Sequence, residues 1–99
     1  MRIWNLYVDE KGESHWQEVE IPYTTENDAG AYSDTIPVKG LIFRRVQPSY
    51  ELDFHNAPRR QYIVNLDAGV QITASDGQVR VLGAGEVFRN ACAAARQKG

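Results

Sequence analysis

The sequence predicts an all-β fold, and three features support this class. Short apolar runs recur about every ten residues, which is the spacing of strands in sandwiches and barrels. Several runs alternate between apolar and polar residues, as over residues 70–75, and this is typical of a strand with one buried face. Between two such runs stands Asp76-Gly77, a pair that favours the type I′ turn of a tight hairpin.

Length and composition limit the possible functions. A chain of 99 residues is expected to form one domain, near the lower limit for a self-sufficient core. A net charge of −2 gives no overall attraction to nucleic acid or to an anionic membrane. The single cysteine cannot form an intrachain disulfide, and no apolar run is long enough to cross a bilayer. We therefore expect a cytoplasmic domain without a nucleic-acid or membrane partner.

The amino-terminal part predicts a hairpin and then a loop. Residues 1–21 contain two strand-like runs, separated by a charged turn at Gly12 and ended by Pro22. His15 is interpreted as a partly exposed strand residue, because no second metal ligand stands at a useful spacing. Residues 22–37 are polar and lack periodicity, which predicts a surface loop. A mobile connector is favoured there over an active-site lid.

The remaining chain divides into a barrel core and a tail. Residues 38–88 are expected to form the core, beginning with the apolar, β-branched run 41–46. Residues 89–99 are rich in alanine and carry cations near their end, where the helix dipole favours positive charge. This tail predicts a short helix. Cys92 within it is interpreted as a small apolar residue rather than a nucleophile.

Potential chemistry is concentrated between residues 53 and 62. Residues 51–55 alternate as in a strand, which places Asp53 and His55 on one face. Gln61 begins the next predicted strand. Arg59 and Arg60 stand between them, and a guanidinium at a cavity mouth can clamp a carboxylate or phosphate. A salt bridge or simple solvation of these arginines is the favoured alternative. The candidate ligand-binding residues are Arg59, Arg60 and Tyr62.

The motifs of residues 38–88 follow one another in an informative order. They are Asp53-x-His55, Gln61 heading an apolar strand, a turn at Gly69, Asp76-Gly77, and Leu82-Gly83-Ala84-Gly85-Glu86. This order resembles that of the small single-domain bacterial cupins, and the run from Asn56 to Tyr62 looks especially like one group of them. The resemblance implies a jelly-roll barrel. It also implies a metal site, in which Asp53, His55 and Gln61 take the places of two histidines and a glutamate.

The chain departs from the cupin pattern after this point. A cupin supplies a last histidine from a later strand, whereas this sequence has none beyond His55. The jelly roll is therefore predicted to be incomplete at its C-terminal end. A divalent cation such as Fe, Mn, Ni or Zn needs three or four protein ligands. Only Asp53, His55 and the neutral amide of Gln61 are available here.

Two functional hypotheses follow. The favoured one is a cupin-like protein that binds a small molecule or metal without a complete catalytic metal site. The alternative is a metal-dependent enzyme that acts on a small polar or anionic substrate, and no catalytic residue is assigned to it. Because a jelly roll without its last strands exposes sheet edges and apolar surface, a homodimer is also expected. Exchange of the amino-terminal strands is one form that it can take.

Overall fold

The computed structural model describes residues 1–47, 51–56, 59–91 and 94–98, of which residues 51–56, 91 and 94 are described by their backbone alone. Ten strands lie within this described part. They are β1 (Arg2–Val8), β2 (Ser14–Glu20), β3 (Thr25–Asn27), β4 (Gly30–Tyr32), β5 (Glu51–Asn56), β6 (Arg60–Val64), β7 (Val70–Ala74), β8 (Val79–Leu82), β9 (Val87–Ala91) and β10 (Ala94–Lys98). The prediction of an all-β fold is confirmed.

Two open four-stranded sheets make up most of the fold. The first sheet has the strand order β2-β1-β9-β6, and the second has the order β5-β10-β7-β8. Neighbouring strands are antiparallel, except that β1 and β9 run parallel. A separate two-stranded sheet consists of β3 and β4.

The strands from β5 to β10 pair in a nested order. β7 pairs with β8 in the second sheet, β6 with β9 in the first, and β5 with β10 in the second again. The innermost pair turns at Asp76-Gly77, where Gly77 has a φ of 92° and its N–H donates to the carbonyl of Ala74 at 3.0 Å. The predicted hairpin is confirmed, and glycine accepts this positive φ without strain. The predicted two-residue type I′ turn is wrong, because the N–H of Ala74 also donates to the carbonyl of Gln78 at 2.9 Å, so that the loop consists of the three residues Ser75-Asp76-Gly77. This part of the chain is one long antiparallel hairpin, wound so that successive pairs alternate between the sheets.

The core lies between the two sheets. On β7 the side chains of Val70, Ile72 and Ala74 are buried, whereas Gln71 is exposed, as the alternation predicts. Across from them, the first sheet contributes aromatic and aliphatic side chains to the same cluster. Its buried members are Leu6, Trp16 and Phe88.

The predicted C-terminal helix is wrong, and the described residues contain no helix at all. The segment instead supplies β9 and β10, each of which lies between two other strands of its sheet. The side chains alternate accordingly, with Phe88 and Asn90 buried and Arg89 partly exposed between them. Ala95 is 1% exposed in the middle of the second sheet. Pairing on both sides outweighs the modest helix preference of alanine, so the chain continues in strands to Lys98.

Residues 22–47, which we name the arm, lie outside the two large sheets. Every arm residue is exposed except Gly30, which is partly exposed. The predicted loop contains the short hairpin of β3 and β4. The prediction of a strand over residues 41–46 is wrong. Residues 33–47 pair with no other described strand.

Candidate functional site

The structure distributes the predicted site residues over both sheets. Asp53 and His55 lie on β5 of the second sheet, and Gln61 lies on β6 of the first. Arg59 and Arg60 are exposed at the start of β6. The side chains of Asp53 and His55 fall outside the description, so the predicted metal set stays a prediction.

A pair of amide side chains lies on the inner face of the first sheet. Gln61 is two residues before Ile63, which packs against the core, so both point to the inner face. Directly opposite Gln61 on β9 is Asn90, which is 2% exposed. We name Gln61 and Asn90 the inner polar pair. In the second sheet, the backbone of His55 pairs with that of the buried Ala95.

The outer face of the first sheet carries a polar row across three strands. The side chain of Asn5 is 4% exposed, and its Nδ2 donates to Oε1 of Gln17 at 3.2 Å. The Nε of Arg89 donates to Oδ1 of Asn5 at 2.9 Å. Tyr62 is the register neighbour of Arg89. Tyr62 therefore lies on the opposite face of β6 from Gln61, beside a guanidinium that sequence reasoning did not single out.

The most strongly bonded ionisable cluster joins the two sheets at His15. Its Nε2 lies 2.7 Å from Oδ2 of Asp9, and its Nδ1 lies 2.7 Å from Oδ2 of Asp76. Asp9 belongs to the turn between β1 and β2, and Asp76 to the turn between β7 and β8. The ring of Tyr7 lies beside the imidazole, with the two centroids 5.6 Å apart. We name Asp9, His15 and Asp76 the histidine clamp.

Two serines, each next in sequence to a clamp residue, link the same two hairpins by hydrogen bonds. The backbone N–H of Ser14 donates to Oγ of Ser75 at 2.7 Å, and the N–H of Ser75 donates to Oγ of Ser14 at 2.6 Å. The Ser14 hydroxyl also donates to that of Ser75 at 3.0 Å. Ser14 is fully buried. These reciprocal hydrogen bonds fix the distance between the two hairpins at the start of β2, next to His15.

The carboxylates of the clamp also hold their own turns. Oδ1 of Asp9 accepts the N–H groups of Lys11 and Glu13 at 2.9 and 3.0 Å. Oδ1 of Asp76 accepts the N–H of Gln78 at 2.9 Å. One oxygen of each carboxylate is therefore bonded to its turn and the other to the imidazole. The ring orientation is set by both hairpins together.

This bonding favours the charged form of the imidazole. The hydrogen bond to Asp9, followed by that to Asp76, holds the pKa of His15 above its ordinary value of 6.5. The bond from His15, followed by that from the Glu13 N–H, lowers the pKa of Asp9 below 3.8. When protonated, the ring donates from both nitrogens to the two carboxylates. In that state it has no lone pair with which to activate a nucleophile or to bind a metal.

The clamp is consequently a structural cross-link rather than a catalytic triad. A triad needs a hydroxyl or thiol at one ring nitrogen of the histidine, and here a carboxylate occupies each. The sequence predicts the turn at Asp76 but not the hydrogen bond between Asp76 and His15. Asp9 and His15 are close in sequence across one hairpin, which is a usable signal, whereas Asp76 is 61 residues away from His15 and gives none.

The described residues contain no group of three or more His, Cys, Asp or Glu side chains arranged to hold a metal ion. Nor is any helix among them long and apolar enough to span a membrane. Comparisons of the chain with protein-family models, with curated proteins and with solved structures find no match.

Proposed function

We propose that this chain is a cupin-like jelly-roll protein that binds a small polar molecule between its two large sheets and lacks a complete catalytic metal site. The strand pairing supports the fold. In a jelly roll, the antiparallel pairs of a long hairpin alternate between two facing sheets. The nested pairs β7–β8, β6–β9 and β5–β10 follow this rule. The cupin-like motif order of residues 38–88 is the second support.

The position of Gln61 on the inner face of β6 is the observation that carries the binding proposal. Small-molecule sites are mostly apolar and contain a few polar groups that orient the ligand. Gln61, which is partly exposed, supplies such a group beside the apolar cluster of Leu6, Ile63 and Phe88. An amide side chain both donates and accepts hydrogen bonds. A small ligand with a carboxylate, amide or hydroxyl group fits these donors and acceptors.

The residues described do not form a metal site. Gln61 is the one predicted metal ligand whose side chain the structure describes, and its neutral amide is a weak donor. Asp53 and His55 on β5 would have to supply the remaining ligands, with water completing the shell. No metal-dependent step is part of the proposal. A metal-dependent enzyme is the alternative that the experiments below can favour.

Arg59 extends the proposal to the rim. It is exposed just before β6, the strand that carries Gln61, and a guanidinium there can hold an anionic group of the ligand. Arg60 is two residues before Tyr62 and shares the outer face of β6 with it. Tyr62 lies on the outer face and is not part of the inner site. A cytoplasmic location also belongs to the proposal, because the single cysteine points to no oxidising compartment.

A ligand screen tests this function. Small carboxylic acids, amides and polyols are screened by thermal shift, and each hit is titrated by calorimetry. We expect Gln61→Leu to weaken binding at least about tenfold, because a polar ligand group loses its partner. Gln71→Leu makes the same change on the exposed face of β7 and should leave binding unchanged. Equal affinity in both variants would show that the ligand does not bind at Gln61. Metal-dependent turnover of a screened compound would favour the alternative, a metal-dependent enzyme.

A further inference from the structure

The arm carries an apolar surface that no other described part of the chain covers. The side chains concerned range from 44% to 84% exposed. They are Ile36, Val38, Leu41, Ile42, Phe43 and Val46. Isolated apolar residues are normal on protein surfaces, but a continuous exposed run such as Leu41-Ile42-Phe43 usually marks an interaction site.

The shape of the molecule agrees with a projecting arm. The radius of gyration is 14.6 Å, whereas a compact domain of 99 residues is expected near about 12.6 Å. The hairpin of β3 and β4 stands apart from both large sheets. A two-stranded hairpin is at best marginally stable alone in water. Both features indicate that the arm gains stability by packing on another surface.

The first sheet offers a matching edge at β6. Among the described strands, β6 has β9 as its single neighbour, and an edge strand presents unpaired backbone groups to an incoming strand. Exposed apolar side chains lie along and just after it, with Val64 56% and Leu66 76% exposed. The other free edge of this sheet, β2, has no large exposed apolar side chain.

The nested pairing selects the same edge. Successive pairs alternate between the second, first and second sheets, so the segment that precedes β5 would continue the series in the first sheet. Within that sheet, β6 is the edge strand that belongs to the nested series. The apolar run of residues 41–46 and the β6 edge are therefore two complementary surfaces on one chain. Neither pairs with another strand of the part that the structure describes.

We propose that residues 41–46 of one copy pair with the β6 edge of a second copy, in a reciprocal arm-exchanged dimer. Each copy donates one arm and accepts one, which closes the assembly with two-fold symmetry. The arm differs from the amino-terminal strand β1, which is paired on both sides within its own chain. The inference goes beyond the ligand proposal and does not depend on it.

The first test is the mass in solution, measured by light scattering from micromolar to 100 µM concentration, a range in which weak dimers associate. We expect twice the mass of one chain. Phe43→Asp should raise the dissociation constant at least about tenfold, as for a central apolar contact. The control Thr35→Asp changes another exposed arm residue and should stay dimeric. A wild-type protein that is monomeric at 100 µM overturns the proposal. It does so even if the arm is later found to bind a different partner.

Cysteine cross-linking tests the pairing without weakening it. In a Cys92→Ser background, chains with Ile42→Cys are mixed with larger, tagged chains with Val64→Cys. A disulfide between the two kinds of chain is expected. Failure of the mixture to cross-link overturns the proposed contact. An intramolecular disulfide in a monomeric I42C/V64C double variant also overturns it, because the arm then folds onto its own sheet.

Discussion

At the scale of the residue, His15 determines how the two large sheets meet at one end. It is bonded through both ring nitrogens, to Asp9 in one hairpin turn and to Asp76 in another. The sequence suggests only a partly exposed strand residue here, because a bond between residues far apart in the chain leaves no local pattern. The polar cluster that the structure shows most clearly is thus a structural one.

The histidine clamp predicts a defined pH dependence of stability. His15 has a raised pKa, so its contribution is complete below 6.5 and is lost as the pH rises through the pKa of the folded state. Asp9 has a lowered pKa, so its contribution is complete above 3.8 and is lost as the pH falls through its folded pKa. The melting-temperature difference between wild type and His15→Gln should be largest between these limits.

Thermal melts of both proteins from pH 3 to 9, a range that spans the ordinary pKa values of both groups, measure this difference. An NMR titration of the His15 ring supplies an independent value of its pKa. A difference in melting temperature that stays constant across the range would show that the clamp is not held by charge.

Ser14 gives a second prediction at this scale. Its hydroxyl accepts the N–H of Ser75 and donates to the Ser75 hydroxyl, and Ser14 is fully buried. Ser14→Ala leaves that N–H without its partner and should lower the free energy of unfolding by about 1–3 kcal/mol. Urea denaturation measures the loss. Ser33→Ala in the exposed arm is the matched control, and an equal effect in both variants would contradict the bonding described.

At the scale of the element, the C-terminal strands show how pairing outweighs propensity. The alanine-rich segment favours a helix when each residue is considered alone. The two central positions that it occupies, between β1 and β6 and between β5 and β7, offer backbone hydrogen bonds on both sides and bury Phe88, Asn90 and Ala95. Small side chains such as Ala95 suit the crowded middle of a sheet.

Overpacking tests this placement. Ala95 is 1% exposed between β5 and β7, so Ala95→Leu should destabilise the fold by about 1–3 kcal/mol. Ala31→Leu, in the exposed hairpin of the arm, should be close to neutral. Chemical denaturation compares the two, and far-UV circular dichroism should show no helical signal. If Ala95→Leu is tolerated and the spectrum shows helix, the segment forms a terminal helix and the strand placement is wrong.

At the scale of the whole molecule, the sequence predicts local features well and distant contacts poorly. The turn at Asp76-Gly77 and the inward face of residues 70–74 follow from backbone preference and alternation, which are local. The run of residues 41–46 has the composition of a strand but no described partner. Composition is a local property and does not specify the strand with which a segment pairs. Asn90 could not be singled out, since its position opposite Gln61 depends on the register of β6 and β9.

The proposed function is that of a jelly roll whose ligand set falls short of a catalytic metal site. Metal content by inductively coupled plasma mass spectrometry, on tag-free protein incubated with excess Fe, Mn, Ni or Zn and then desalted, tests this most directly. The proposed function predicts far less than one metal ion per chain and no difference between wild type and His55→Ala. One bound ion per chain that His55→Ala removes would contradict it, and would favour a metal-dependent enzyme instead.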